Sequence, residues 1–252
     1  MIWRFKTISF LEMQSRRKIH DELEQHGLCV VRRACDTEMC GKVREEALEG
    51  VKTIESLPKT MAERNRGNTH RWFLPVDIVD SKKEKGYLTR TNFRLPMTPN
   101  LRRLTSRAIE KVVDDSNWKL TEVLFIVSEK GAAAQSFHSD ADYIEGAPRT
   151  ITLFLALQDI EEECMGPTQF ILDTHSPKCF PPAYKWLPPL PKNGLKDKKV
   201  KWFPLKVGDG ILMESTSWHR GGQNLSNKKR VLLSLSFLEV VEDEHDVLSS
   251  SS

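Results

Sequence analysis

The chain has 252 residues, of which 29% are charged and 39% are hydrophobic. This length suits one well-packed domain, and the near balance of 38 Lys and Arg against 35 Asp and Glu, a net charge of +3, gives no reason to expect a nucleic-acid partner. The five cysteines are odd in number and lack metal-type spacing, which argues against a disulfide framework or a zinc module and indicates a reducing compartment.

The N-terminal residues do not have the pattern of a secretory signal, because the apolar run at the start is too short. No later stretch approaches the length of a membrane span, so no membrane partner is expected. Early basic residues would be compatible with a mitochondrial leader, but Glu12, Asp21 and Glu22 argue against one. The sequence therefore predicts a soluble, intracellular, cytoplasmic protein, and it carries no signal for an oligomeric state.

The first part of the chain has the periodicity of helices. Apolar and long polar residues predict a helix over Phe10–His26 that ends at Gly27, followed by a short strand over Leu28–Val31. Asp36 has the chemistry of an N-cap for a second helix, and a third helix is predicted over residues 100–114. The second helix has apolar residues on one face, at Met39, Val43, Ala47 and Val51.

Residues 58–92 are polar, basic and interrupted by Gly and Pro. This composition predicts an ordered loop or lid outside the core, with Trp72 and Phe73 as its aromatic side chains. Basic residues recur beside aromatic ones here, so Arg90, Arg94 and Trp72 are candidates to contact an anionic substrate. A solvated basic face explains the same pattern equally well.

The second half of the chain changes to the period of strands. Short apolar runs separated by turn residues predict an α+β chain, mainly β, whose strands form a jelly-roll or barrel with the N-terminal helices packed outside. We expect one domain over residues 1–241, helical in 1–121 and β-rich in 122–241, with an insertion at 176–199 and a disordered tail at 242–252. Strands are predicted over residues 123–127, 150–157, 168–172, 200–205, 210–214 and 230–240.

Two short motifs carry the candidate chemistry. His138 and Asp140 lie two positions apart after an apolar strand, so in an extended segment their side chains point to the same side and can bind one ion. His219 follows another strand and offers a third ligand. Two His and one carboxylate leave open positions on an ion, as in iron(II) oxygenases. Arg230, at the start of the last strand, has the planar guanidinium that pairs with a carboxylate, although a surface ion pair is the alternative.

Together these motifs resemble the phytanoyl-CoA dioxygenase-like family of iron(II)- and 2-oxoglutarate-dependent oxygenases. The resemblance covers mainly residues 122–240 and includes Asn224 and Ser226 between His219 and Arg230. It implies a double-stranded β-helix, a jelly-roll related to cupins, with His138, Asp140 and His219 as catalytic iron ligands. It also implies that Arg230 binds 2-oxoglutarate and that Thr168 and Gln135 contact this co-substrate, although Thr168 is also explained as a strand former.

The resemblance further implies a reaction. With dioxygen as oxidant, such an enzyme oxidises an unactivated C–H bond by hydroxylation, desaturation or oxidative cyclisation and releases succinate and carbon dioxide. The basic residues near Arg90 favour a small metabolite that carries a carboxylate, of the kind found in natural product biosynthesis. Two other classes fit the residues: a non-catalytic jelly-roll binding protein, and a metal-dependent hydrolase or isomerase on the same fold.

Overall fold

The structure is a computed structural model that describes residues 10–68, 70–78, 87–88, 93–113, 117–175 and 200–240. The predicted insertion at 176–199, the predicted disordered tail at 242–252 and Arg90 lie outside the described residues. The extent of a single domain over 1–241 stays a prediction. In the described part of the chain, every helix is too short or too polar to cross a membrane.

The helices fall where the periodicity predicts them. Helix α1 spans Phe10–His26, α2 spans Thr37–Glu55, the single turn α3 spans Lys59–Ala62, and α4 spans Pro99–Val112. Asp36 caps α2 by accepting a hydrogen bond from the backbone N–H of Met39 at 3.0 Å. The third predicted helix begins at Pro99, one residue earlier than expected, because Thr98 caps it through the N–H of Leu101.

The strands form two larger sheets and one short pair. A seven-stranded antiparallel sheet has the order β1-β10-β7-β12-β6-β3-β2, and a three-stranded sheet has the order β11-β8-β9. This confirms the jelly-roll prediction. The strands are β1 Leu28–Val31, β2 Arg66–Asn68, β3 Arg71–Pro75, β4 Tyr87–Leu88, β5 Phe93–Arg94, β6 Trp118–Ser128, β7 Thr150–Ala156, β8 Thr168–Ile171, β9 Val200–Lys201, β10 Gly210–Glu214, β11 His219–Gly221 and β12 Arg230–Glu239.

The two faces of the large sheet have different neighbours. Odd-numbered residues of β12, such as Val231 and Leu233, are buried in a core shared with α2 and α4. Even-numbered residues, such as Leu232 and Ser234, face the three-stranded sheet, and a cavity lies between the two sheets. Because side chains alternate along a strand, a single element builds both the hydrophobic core and the cavity wall.

The prediction of a loop or lid over residues 58–92 is wrong for its central part. Strand β3 joins the large sheet by pairing with β6, with Trp72 opposite Val127 and Phe73 opposite Ile126. Trp72 is fully buried in the hydrophobic core. The polar composition of the surrounding residues concealed β3, because the strand has only five residues and its partner strand lies far along the chain. Residues 79–86 and 89–92 lie outside the described part.

Candidate active site

The folded chain brings His138, Asp140 and His219 to one point at the edge of the cavity. Their ligand atoms all lie within 4.8 Å of one another. Nε2 of His138 is 3.7 Å from Oδ1 of Asp140, and Nε2 of His219 is 3.6 Å from Oδ2 of the same carboxylate. These distances are too long for hydrogen bonds, and they leave space for an ion that all three side chains contact.

Backbone hydrogen bonds place the three side chains. His138 and His219 form an isolated antiparallel bridge in which each backbone N–H donates to the carbonyl of the other, at 2.9 and 2.8 Å. The N–H of Asp140 donates to the carbonyl of Ser215 at 2.8 Å, next to the end of β10. The loop after β6 is therefore fixed against β11, and residues distant in sequence share one site.

The orientation of both imidazole rings is set by carbonyl groups. Nδ1 of His138 lies 2.9 Å from the carbonyl of Ser136, and Nδ1 of His219 lies 3.1 Å from the carbonyl of Ser217. A carbonyl only accepts, so we assign the ring proton to Nδ1 and the lone pair to Nε2, which faces Asp140. Burial lowers the pKa of His219, which favours the neutral imidazole that binds metals.

A cavity of about 410 Å³ opens beside these residues. One wall is the even-numbered face of β6, β7 and β12, and the other carries His219, Gly221 and Thr168. Phe154 lies next to His219, with ring centroids 5.6 Å apart. The cavity is large enough for a small organic molecule together with a bound metal chelate.

Two buried arginines lie side by side, and one of them, Arg230, lines the cavity. Arg230, only 1% exposed, donates to the carbonyl of Gly166 at 2.6 Å and to Oγ of Ser128 at 2.9 Å. Arg71, fully buried, donates to the same Ser128 hydroxyl at 3.0 Å and to the carbonyl of Gly222 at 2.8 Å. Nε of Arg230 and Nη1 of Arg71 have no hydrogen-bond partner, and within the described residues no carboxylate pairs with either guanidinium.

Burying two guanidinium cations without an anion has an unfavourable free energy. Burial, with Arg71 nearby, lowers the pKa of Arg230 to about 9, so the group is still charged at neutral pH. Burial also lowers the pKa of Arg71. Two buried positive charges with unused N–H groups make a site for an anion such as a carboxylate. The sequence alone had indicated Arg230 but not Arg71.

The comparisons with known proteins agree with this geometry. The family model described as Phytanoyl-CoA dioxygenase (PhyH) matches residues 23–232. The chain belongs to the phytanoyl-CoA dioxygenase family. Among curated proteins, none matches the chain.

Several solved structures share the fold of this family member. The epimerase SnoN in complex with Fe3+, alpha ketoglutarate and nogalamycin RO is 16% identical, with a TM-score of 0.64 over 90% of this chain and 84% of SnoN. The non-heme alpha ketoglutarate dependent carbocyclase SnoK from nogalamycin biosynthesis is 14% identical, with a TM-score of 0.59 over 94% of this chain and 90% of SnoK. HygX from Streptomyces hygroscopicus, with nickel, 2-oxoglutarate and hygromycin B bound, is 14% identical, with a TM-score of 0.56 over 88% and 86%.

Two further residues indicated by the family resemblance also line the cavity. Gln135 accepts a hydrogen bond from the N–H of Gly221 at 2.9 Å through its side-chain oxygen, which leaves its amide N–H2 for other contacts. Thr168 is 9% exposed and lies opposite Gly221 in the pairing of β8 with β11. A Cβ at Gly221 would come within 2.6 Å of the side-chain oxygen of Gln135, so a larger residue here would displace that side chain. Contact of either residue with a co-substrate stays a prediction.

Of the substrate residues expected from the basic segment, Trp72 and Arg94 do not line the cavity, and Arg90 lies outside the described residues. Trp72 faces the core on the opposite side of β3, and its neighbour Phe73 lines the cavity instead, as strand alternation requires. Arg94 donates to the carbonyl of Val76 at 3.0 Å and is not part of the cavity lining. Arg71 shares the cavity face with Phe73, and this alternation was the signal that could have identified it from the sequence.

Proposed function

We propose that this chain is an iron(II)- and 2-oxoglutarate-dependent oxygenase that oxidises a C–H bond of a small molecule by hydroxylation, desaturation or oxidative cyclisation. One observation carries the proposal. The cluster of His138, Asp140 and His219 and the buried Arg230 line the same cavity, and neither Arg230 nor the adjacent Arg71 has a carboxylate partner among the described residues. An enzyme of this kind needs a metal site and a carboxylate site side by side.

The donor set of the cluster fits iron(II). Two neutral imidazoles and one carboxylate on one side of an ion leave the other positions open to exogenous ligands. A closed structural zinc site would need a fourth protein ligand. In the part of the chain that the structure describes, no further His, Cys, Asp or Glu joins the cluster. His138, Asp140 and His219 would therefore hold the ion and leave it accessible from the cavity.

The arginine pair fits the far carboxylate of 2-oxoglutarate. Arg230 lines the cavity, and Arg230 and Arg71 together keep N–H groups without a partner in a region protected from water, where charge-assisted hydrogen bonds are strong. Ser128 contacts both guanidinium groups and keeps them side by side. These residues would bind and orient the co-substrate without taking part in bond breaking.

When bound, iron(II) and 2-oxoglutarate supply dioxygen activation for the oxidation of a substrate C–H bond, with release of succinate and carbon dioxide. The apolar side chains of Phe73, Ile126 and Leu232, between the arginines and the rest of the cavity, limit the access of water. The hydrogen bonds from Nδ1 of both imidazoles keep the rings in one orientation.

The solved relatives support a small molecule as substrate. SnoN was solved with Fe3+, alpha ketoglutarate and nogalamycin RO, and HygX with nickel, 2-oxoglutarate and hygromycin B. A cavity of about 410 Å³ is consistent with that class. The described residues give no support for a carboxylate on the substrate, because Arg94 and Trp72 do not line the cavity and Arg90 lies outside the described part of the chain.

Calorimetric titration with 2-oxoglutarate, without oxygen and with or without iron(II), tests this function against the two alternatives. We expect wild-type protein to bind 2-oxoglutarate only with iron(II) present, and His219→Ala to lose this binding. His26→Ala is the matched control, because His26 pairs with Asp173 at the surface. Iron binding without 2-oxoglutarate binding would favour a hydrolase or isomerase, and binding of neither would favour a non-catalytic jelly-roll.

A further inference from the structure

The cavity wall on the large sheet changes in polarity from one end to the other. Across the paired strands, the first row is Arg71, Ser128 and Arg230, and the second is Phe73, Ile126 and Leu232. The third row contains Leu124, Ser234 and Phe154, and the fourth contains Glu122, Ser236 and Thr152. We call the fourth row the polar rim. It lies at the opposite end of the wall from the arginines.

A β-bulge forms part of the polar rim. The register of β6 against β12 shifts between Ser236 and Phe237, so that Thr121 is the extra residue on β6. Thr121 donates to the carbonyl of Ser236 at 3.0 Å, and both Thr121 and Glu122 line the cavity. Bulges re-aim side chains in this way near functional sites. Strict alternation would have allowed only one of these neighbours to face the cavity.

Hydroxyl groups connect the polar rim to the metal cluster. Thr152 Oγ1 lies 3.1 Å from Ser215 Oγ and 3.3 Å from Ser236 Oγ, and the carbonyl of Ser215 accepts the N–H of Asp140. Each hydroxyl can donate one hydrogen bond and accept others. A molecule that touches the polar rim would therefore also lie next to Asp140.

Glu122 gives the polar rim a negative charge. Partial burial and the nearby Asp140 carboxylate raise its pKa, and Arg94 opposes this effect. The side chains of Glu122 and Arg94 are both described, and they form no ion pair; the guanidinium of Arg94 donates to Val76 instead. Glu122 and Asp140 are the acids that line the cavity, and Asp140 belongs to the metal cluster.

This inference rests on the proposed function. We propose that the polar rim binds the positively charged amine of a hydroxylated substrate. Glu122 is the residue that selects the charge. The hydroxyls of Thr152, Ser215 and Ser236 would bind hydroxyl groups of the same molecule. An amine next to Glu122 would balance an acid that has no ion-pair partner among the described residues. A substrate carboxylate at the same place would be repelled by Glu122.

Ligand-observed NMR with two matched sets of probes tests this proposal. One set is glucosamine, glucose and glucuronate, and the other is cyclohexylamine, cyclohexanol and cyclohexanecarboxylate. The protein carries zinc(II), which is redox-inert, and 2-oxoglutarate. We expect wild-type protein to prefer the amine in each set, and Glu122→Gln to lose roughly tenfold in amine affinity, about 1.4 kcal/mol. Glu122→Lys should favour the carboxylates.

Glu129→Gln is the matched control, because Glu129 follows the same strand but pairs with Lys229 outside the cavity. It should retain the amine preference. Equal binding of the three probes by wild-type protein, absence of amine binding, or unchanged amine binding by Glu122→Gln would overturn the proposal. Calorimetry of 2-oxoglutarate on the same variants reports the proposed function separately, since Glu122→Gln should bind the co-substrate like wild type.

Discussion

The two faces of β12 have different roles: one packs in the hydrophobic core and the other lines the cavity. Val231, Leu233, Leu235 and Phe237 are at most 1% exposed and pack in the core that the helices cover. The opposite face carries Arg230, Leu232, Ser234 and Ser236 along the cavity. The core face has side chains chosen for volume. The cavity face combines the apolar Leu232 with side chains that keep charge or hydrogen-bonding capacity, and these polar groups can contact a ligand.

This difference predicts that odd-numbered residues of β12 determine stability and that even-numbered residues determine ligand binding. A substitution on the core face should lower the free energy of unfolding and leave ligand affinity unchanged in the folded fraction. Replacement of a ligand-contacting residue on the cavity face should lower ligand affinity and leave the free energy of unfolding nearly unchanged. The following variants test this separation, beginning with the one for which the expected effect is largest.

Leu233→Ala removes a fully buried side chain from the core face. We expect the free energy of unfolding to fall by about 3 kcal/mol, because the cavity left behind adds to the lost transfer energy. Urea denaturation at equilibrium measures this loss. The iron-dependent affinity for 2-oxoglutarate should stay at the wild-type value. A loss of less than about 1 kcal/mol would show that the neighbouring side chains refill the space, and it would contradict the predicted difference between the two faces of β12.

Arg230→Met, on the cavity face, should weaken iron-dependent binding of 2-oxoglutarate roughly 100-fold, because it removes a charged donor from a buried site. The free energy of unfolding of the ligand-free protein should not fall, since the variant also removes a buried cation without a carboxylate partner. Calorimetry measures the affinity for 2-oxoglutarate, and urea denaturation measures the free energy of unfolding. A destabilised variant with normal 2-oxoglutarate affinity would mean that Arg230 is structural.

Arg71→Met should have a smaller effect of the same kind. Arg71 also has a free N–H, but Arg230 would still supply a guanidinium at the site, so we expect roughly a tenfold loss of 2-oxoglutarate affinity. The matched control is Arg220→Met. Arg220 lies next to His219 but donates to Gln169 and stacks on Phe137. If Arg71→Met and Arg220→Met lost the same affinity for 2-oxoglutarate, the assignment of Arg71 to the anion site would be wrong.

Ser234→Ala should have the smallest effect. Ser234 is the sequence neighbour of Leu233 but faces the cavity, so its replacement should change the free energy of unfolding by less than about 0.5 kcal/mol. The affinity for 2-oxoglutarate should also be unchanged, since Ser234 lies two rows away from Arg230. A large loss of stability, measured by urea denaturation beside Leu233→Ala, would mean that the two faces are not distinct.

Local sequence patterns predicted most of the fold. The bounds of α1 and β1 follow from apolar spacing and the stop at Gly27, and the cap at Asp36 follows from side-chain chemistry. Strand β9 is shorter than predicted, with two residues, and the short strands β2, β3, β4, β5 and β11 were not predicted. Each of these strands has at most five residues, and its strand character depends on pairing with residues elsewhere in the chain, which no local pattern reports.

Local sequence patterns also predicted part of the candidate site. The two-residue spacing of His138 and Asp140 is local, and it placed both side chains on one side of an extended segment. The approach of Arg71 to Arg230 depends on β3 pairing with β6 and β6 pairing with β12, which the sequence does not display. The bulge that brings Thr121 to the cavity beside Glu122 is likewise visible only in the register of two strands.

The central claim is that His138, Asp140 and His219 hold an iron(II) ion that 2-oxoglutarate chelates. Its most direct test is anaerobic titration of the metal-free protein with iron(II) and 2-oxoglutarate, followed by the visible charge-transfer absorption of the chelate. We expect the band in wild-type protein, its loss in His219→Ala, and its retention in His26→Ala. Absence of the band in wild-type protein, or an equal band in His219→Ala, would contradict the claim.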